Sequence, residues 1–276
     1  MAEEKSTFSL LLKEICAEEK ILLESFSGNW AHRLEKSGRT GFIVGYQFGL
    51  NPASVQEICR DKALTSLFLQ EAGVPAAEHR FLTLGLHYNA EMQEEYLSAC
   101  RPLLEKNGKL VLKDNYGTGG NRVFLIASEE EAKDVLWRLS GLTYAAALSP
   151  YYPIDMEYRV VMLDQEPRLT IRKERSYTVE NGKKVYTEWR HNLGQGATGV
   201  VETDEALLGE LHALARQALS VIPARFASVD IIRTSGKLLV LEINGGVMLE
   251  HFSGQDSSCR EKAKEVYRRA VLKMLA

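Results

Sequence analysis

Cysteine is sparse: Cys16, Cys59, Cys100 and Cys259 lie far apart in a chain of 276 residues, with no C-x-x-C pair. Neither a zinc cage nor a disulfide framework is suggested. The six histidines show no H-E-x-x-H or comparable ligand spacing. No G-x-S-x-G elbow or Cys/His constellation supports a covalent nucleophile. Long apolar runs are missing too, and nothing approaches the ~18 consecutive residues of a spanning helix. The opening Met1-Ala2-Glu3-Glu4 lacks the basic flank and apolar stretch of a secretory leader. A cytoplasmic protein with reduced thiols and no membrane partner is expected. A basic excess is also lacking, since 34 Lys and Arg against 37 Asp and Glu leave a formal charge of −3, mixed along the chain. That balance excludes the electrostatic footprint of a nucleic-acid binder.

What is present is globular material, 45% hydrophobic and 26% charged, of a length that suits one or two domains. Thr7 to Lys20 is amphipathic, and Ile21-Leu22-Leu23 and Gly41 to Gly45 read as short strands around a helical Asn29–Lys36 segment. Asn51-Pro52 then opens a helix that runs to Gly73, where Val74-Pro75 stops it. Further strands read at Arg80–Leu84, Lys109–Lys113, Arg122–Ile126, Tyr144–Leu148, Glu157–Leu163 and Arg168–Lys173. Helices start at Asn89, at the capping box Ser128-Glu129-Glu130-Glu131, at Thr203 and near Gln255, and Val179–Lys184 holds an Asn181-Gly182 turn. The alternation predicts a mixed α+β fold.

The most informative stretch is Val229 to Asn244, which reads as a β-hairpin. Strand side chains alternate faces, so Glu242 and Asn244 share one face, and a turn centred on Gly236 sets Asp230 opposite Glu242. Facing carboxylates repel unless a cation bridges them. Three hard oxygen donors suit Mg²⁺, which takes a few protein ligands plus waters and phosphates. The competing reading is a solvent-facing hairpin with acids on it.

Lys113 ends a strand before Asn115-Tyr116-Gly117-Thr118-Gly119-Gly120-Asn121. Such glycines let backbone N–H groups approach phosphates, which the lysine can reach as a point charge, although a long hairpin turn explains them equally well. Lys62 alone reads as a surface lysine. Gly194 to Gly199 matches G-x-G-x-x-G, but Val200-Val201 follows rather than a helix, which excludes the dinucleotide fingerprint. A substrate-covering loop carrying Arg190, His191 and Asn192 fits better.

Taken together, these pieces resemble the ATP-grasp superfamily, most closely ribosomal-protein glutamate ligases and glutathione-synthetase-like carboxylate–amine ligases. The resemblance runs from about Asn51 to Phe252, with motifs in family order: Arg60-Asp61-Lys62, Leu110 to Lys113 before Gly117 to Gly120, Ser149-Pro150-Tyr151-Tyr152, Glu157 to Val161, Ile171-Arg172-Lys173, Arg190 to Leu193, Val229 to Ile232 and Leu241 to Asn244. It implies two α+β subdomains clasping ATP (51–148, with the glycine loop, and 149–276, with the metal site) behind a reduced N-terminal α/β segment (1–50). By the resemblance, Lys62, Lys113, Gly119 and Gly120 hold the phosphates, Ser149, Tyr151 and Tyr152 the adenine, and Asp155 the ribose. Asp230, Glu242 and Asn244 hold one or two Mg²⁺ ions, with Mn²⁺ as a substitute. Arg172 serves the transferring phosphoryl group, and Arg190 and Asn192 the acceptor side. The implied reaction activates a carboxylate as an acyl phosphate that an amine displaces, giving an amide, ADP and phosphate. Substrates would be small-molecule carboxylates and amines, amino acids or peptides, and homo-oligomers occur among such ligases. Gly194-Gln195-Gly196 lacks the basic residues that the glutamate ligases place there. A small-molecule kinase on the same fold and a non-catalytic ATP-binding module are the alternatives.

Overall fold

The structure, a computed structural model, describes residues 6–85, 88–180, 183–186 and 193–276. Helix α1 (Thr7–Glu18) starts where the Ser6 hydroxyl accepts the Ser9 N–H at 3.2 Å, and it buries Phe8, Leu11, Leu12 and Ile15 as one helical stripe. An antiparallel meander follows: β1 (Leu22–Phe26), β2 (Ala31–Lys36), β3 (Arg39–Val44) and β4 (Gln47–Phe48). The helix expected over Asn29–Lys36 is therefore strand β2. His32 and Leu34 are buried while Ala31, Arg33 and Glu35 are not, a period of two. Left-handed turns at Ser27 to Asn29 and at Ser37-Gly38 bound this segment, and its backbone pairs on both edges, with β1 and with β3.

The single helix expected from Asn51 to Gly73 is two, α2 (Ala53–Arg60) and α3 (Lys62–Glu71). Asp61 breaks it in an extended conformation, and its carboxylate caps α3 by accepting the Leu64 N–H at 2.8 Å. Asn51 is not a helix cap. Its amide donates to the Phe226 and Gly245 carbonyls at 2.8 and 3.3 Å, and its Oδ1 accepts the Arg225 and Phe226 N–H groups at 2.8 and 3.0 Å.

The glycine-loop unit contains β5 (Arg80–Thr83), α4 (Ala90–Asn107), β6 (Leu110–Asp114), β7 (Val123–Ile126), α5 (Glu129–Ser140) and β8 (Ala145–Pro150), its sheet ordered β5-β8-β6-β7. Helices α4 and α5 share its core through Leu97, Cys100, Val135 and Leu139. The chain continues through β9 (Met156–Leu163), β10 (Glu166–Glu174), the hairpin β11 (Tyr177–Glu180) and β12 (Lys183–Tyr186), and β13 (Thr198–Val201). It ends with α6 (Glu205–Val221), β14 (Phe226–Thr234), β15 (Lys237–Asn244), α7 (Glu250–Ser253) and α8 (Ser257–Met274). Asp204, not Thr203, caps α6, accepting from Ala206 and Leu207 N–H. The Asn181-Gly182 turn lies outside the described residues.

The central sheet runs β13-β10-β9-β14-β15. One face packs on α6, α2 and α3 through Leu211, Ala215, Val55 and Leu69. Residues 53–74 thus belong to this sheet's core rather than to the glycine-loop unit. On the other face Val161, Leu163, Ile171 and Phe226 join α1, α8 and the meander in one core, while Glu157, Arg159, Lys173 and Asp230 make the rest of that face polar. No helix among the described residues is long and apolar enough to cross a membrane.

Because Asn51 satisfies backbone groups on two separate segments, Asn51→Ala should lower the unfolding free energy by about 2–3 kcal/mol. Urea denaturation reads this directly, and a loss below ~0.5 kcal/mol would show that water replaces the side chain without penalty.

Candidate active site

The cleft forms where the glycine-loop sheet faces the polar end of the central sheet. Its first chamber is lined from both sheets, by Val111 and Lys113 of β6 and by Glu157, Ile232 and Glu242 of the central sheet. Val111, Ile154, Ile232 and Leu241 give it apolar walls, and Lys62, Lys113, His79, Asp114, Glu157 and Glu242 are its basic and acidic lining. Ser149, Tyr151, Tyr152, Gly119 and Gly120 also line it, so most of the expected nucleotide residues converge. Gly119 and Gly120 both have φ near +70°, which the tight return of this loop requires. The Tyr152 hydroxyl accepts the Glu78 N–H at 3.0 Å, which fixes its ring. Lys62, first residue of α3, donates from its ammonium to the Asn115 and Gly117 carbonyls and so ties that helix to the glycine loop.

A second chamber shares Lys62, Gly117, Gly119, Asn121 and Glu242 with the first. It continues past Asn244, Arg159, Lys173 and His251 and closes against Trp30, Val44, Tyr46 and Gln47 of the meander. The N-terminal segment is therefore part of the cleft wall.

Between the chambers lies a buried charge lattice on one face of the central sheet. Arg159 grips Asp230 bidentately, Nε to Oδ1 and Nη2 to Oδ2, both at 2.8 Å. Lys173 donates to Asp230 Oδ2 at 3.0 Å and also pairs with Glu157. The side chains of Lys173, Asp230 and Glu157 are only 2, 3 and 7% exposed, so each charge depends on its partners. Burial pushes the Asp230 carboxyl up, but Arg159 and Lys173 outweigh it and hold the group well below the usual carboxylate range. Burial pulls the Lys113 ammonium down to about 8, against the attraction of Glu242 and with the help of Lys62. His79 is kept neutral by burial first, then by Lys113 and Lys62.

Three expected residues are placed differently. Asp230 does sit opposite Glu242, but through a two-residue turn at Ser235-Gly236 followed by a bulge next to Asp230 and Ile231. Both its carboxylate oxygens are engaged by Arg159 and Lys173, and it lines neither chamber, so of the three expected ligands Glu242 and Asn244 face the cleft. The Asn244 amide donates to Glu242 Oε1 at 3.2 Å, which places the two side by side. This pair fits Mg²⁺, which favours few protein oxygens beside waters and phosphate.

Arg172 points to the opposite sheet face, where it pairs with Glu174 and with Glu202 at 2.8 and 3.0 Å. The register shift between Pro167 and Leu169 advances the pairing by one residue, so Lys173 rather than Arg172 sits beside Glu157. Asp155 is exposed and does not line the cleft; its neighbour Ile154 does. Arg190 and Asn192 lie outside the described residues. Sequence reasoning missed Glu157, Arg159, Lys173 and His79 as individual site residues. Face parity across β9 and β14 was the available signal for the first two, whereas nothing local marks His79.

A family profile of the RimK-like ATP-grasp domain matches residues 92–259. No curated protein matches the chain. Among solved structures, D-alanine–D-alanine ligase from Bacillus anthracis superposes with a TM-score of 0.58 at 17% identity, over 82% of this chain and 68% of that one. A bifunctional glutathione synthetase from Pasteurella multocida gives 0.60 at 14% identity, over 97% of this chain and 45% of that one. D-cycloserine synthetase DcsG gives 0.59 at 18% identity, over 82% and 74%. At these identities the likeness is one of fold.

Removing one member of the lattice leaves buried charges unmatched, so Asp230→Asn should cost about 3–5 kcal/mol of stability even without nucleotide or metal. Glu242→Gln, on the cleft side, should change it by less than ~1 kcal/mol. Chemical denaturation of both variants checks the division, and equal losses would contradict it.

Proposed function

The chain belongs to the RimK-like ATP-grasp family, and from that membership and the cleft's geometry we propose that it is an ATP-dependent ligase joining a carboxylate to an amine through an acyl phosphate. The observation that carries this reading is the wall shared by the two chambers. Lys62, Glu242 and the glycine loop line both, so a nucleotide in the first and a carboxylate in the second would meet at one boundary that carries a lysine.

In this scheme the adenine packs among Val111, Ile154 and Leu241 beside the Ser149–Tyr152 backbone. Lys62, Lys113 and the Gly119-Gly120 backbone take the phosphates. A carboxylate oxygen attacks the γ-phosphorus, ADP leaves with the electrons of the broken P–O bond, and the amine then displaces phosphate at the carbonyl carbon and gives up a proton. Preorganised cations stabilise the charge that develops at each step. Arg159 and Lys173, locked by Asp230 and Glu157, give the second chamber a rigid polar floor with its charges matched. Glu242 and Asn244 would hold Mg²⁺ or Mn²⁺, which supplies neutralisation of phosphate charge. No protein nucleophile is needed.

Incubation with Mg-ATP and pooled amino acids, dipeptides and hydroxy acids, followed by mass spectrometry, tests the reading. The expected product is heavier than one substrate by the second minus water, with ADP and phosphate released, and Glu242→Gln should abolish it while the protein stays folded. ADP formed with phosphate retained on a small molecule would instead make the chain a kinase.

Lys113 gives a pH test. A lysine held at about 8 loses its charge as pH rises through that value, so the competent fraction of nucleotide-free protein falls about tenfold between pH 7 and 9. ATP affinity should weaken by that factor in calorimetry, with proton uptake on binding near pH 8.5, and Lys113→Met should bind more weakly with a flat profile. A wild-type profile as flat as the variant's would remove Lys113 from the phosphate site.

A further inference from the structure

The wall that the meander gives the second chamber has features that the ligase reading does not use. Trp30 and Val44 line it while 57 and 47% exposed, so neither serves the core. The backbone is bent to hold the indole there. Ser27, Gly28 and Asn29 are three successive residues at φ of 51, 64 and 64°, a conformation that Gly and Asn adopt readily and Ser does not. They turn the chain so that the Trp30 N–H donates to the Phe26 carbonyl at 3.1 Å and the Trp30 carbonyl accepts the Gly45 N–H at 2.7 Å. The ring then lies over Gly45, where an added Cβ would come within 2.7 Å of it. Local strain plus a glycine kept clear under an exposed aromatic ring makes a poor way to stabilise a fold and a good way to present a flat apolar surface.

Inside the chamber the fixed charges change the picture. Arg159 and Lys173 are matched there by Asp230 and Glu157, whereas the Lys62 ammonium donates to backbone carbonyls, and Met248 and Phe252 continue the apolar lining. We propose that Trp30 is a specificity-determining residue, and that the second chamber takes a carboxylate borne on an aromatic or bulky apolar group, the carboxylate toward Lys62 and the apolar group against Trp30 and Val44. This rests on the carboxylate–amine ligase reading and adds the class of carboxylate to it. A small or acidic substrate would leave the indole in water and bring no partner to it.

Hydroxylamine serves as the test amine, since its nitrogen displaces phosphate from any acyl phosphate and leaves a hydroxamate. Hydroxamate formation from Mg-ATP is measured with phenylalanine, leucine, glutamate and glycine singly. Phenylalanine and leucine should exceed the other two in kcat/KM by about tenfold or more, the discrimination an apolar pocket can supply. Trp30→Ala should lower kcat/KM for the apolar pair about tenfold, mainly through KM, while Trp30→Phe should restore most of the loss. Val44→Ser, on the same wall, should weaken the apolar pair in the same direction. Preference for glutamate or glycine, or a Trp30→Ala variant that treats the apolar pair as wild type does, overturns this proposal and leaves the ligase reading standing. Hydroxamate from none of the four, with ATP still bound, overturns this proposal, whereas absence of any condensation product from the pooled substrates overturns the ligase reading.

Discussion

Asp230 is the constraint from which the cleft is built. A carboxylate this deeply buried is stable as an anion only with cations against it, and Arg159 and Lys173 arrive from two different strands to provide them. Once they are fixed, the register of β9, β10 and β14 is fixed as well. A slip of one residue would turn these charges into the core formed with α6 and leave apolar side chains in the cleft. Glu157 completes the lattice from the strand between, so the polar floor of the second chamber is already rigid before a substrate binds.

The same sheet face changes character along its strands. Val161, Leu163, Ile171 and Phe226 bury it against α1, α8 and the meander, and within a few residues Arg159, Lys173 and Asp230 make it polar. One continuous surface therefore anchors the N-terminal segment and floors the second chamber. A segment of this size can wall a site because it borrows the rigidity of the sheet beneath it.

Much of this was legible in the residues. Caps, glycine loops and alternating runs located most elements, and the ordered motifs around Lys62, Lys113, Ser149 to Tyr152 and Glu242 identified the fold and contain many of the residues that line the first chamber. The failures have local causes. Asn29–Lys36 is amphipathic enough to pass for a helix, and only its pairing with β1 and β3 makes it a strand. The choice of Arg172 over Lys173 turned on a single bulge near Arg168, which local sequence does not announce. Asp230 was correctly set opposite Glu242, yet its engagement by Arg159 and Lys173 depends on contacts 71 and 57 residues away in the chain. His79 is buried beside two lysines by tertiary packing alone.

The Asn51 hydrogen bonds and the core shared by α1, α8 and the meander make the N-terminal segment and the central sheet a single mechanical body. The glycine-loop unit joins that body near Ala76–Ala77 and through Tyr151 to Asp155. Lys62, the Ala63 N–H and the Asp61 carboxylate tie residues 115–117 back to α3, so the glycine loop is clamped to the same body at a third point. Because that loop lines both chambers, a displacement at one chamber is transmitted to the other through a single shared wall.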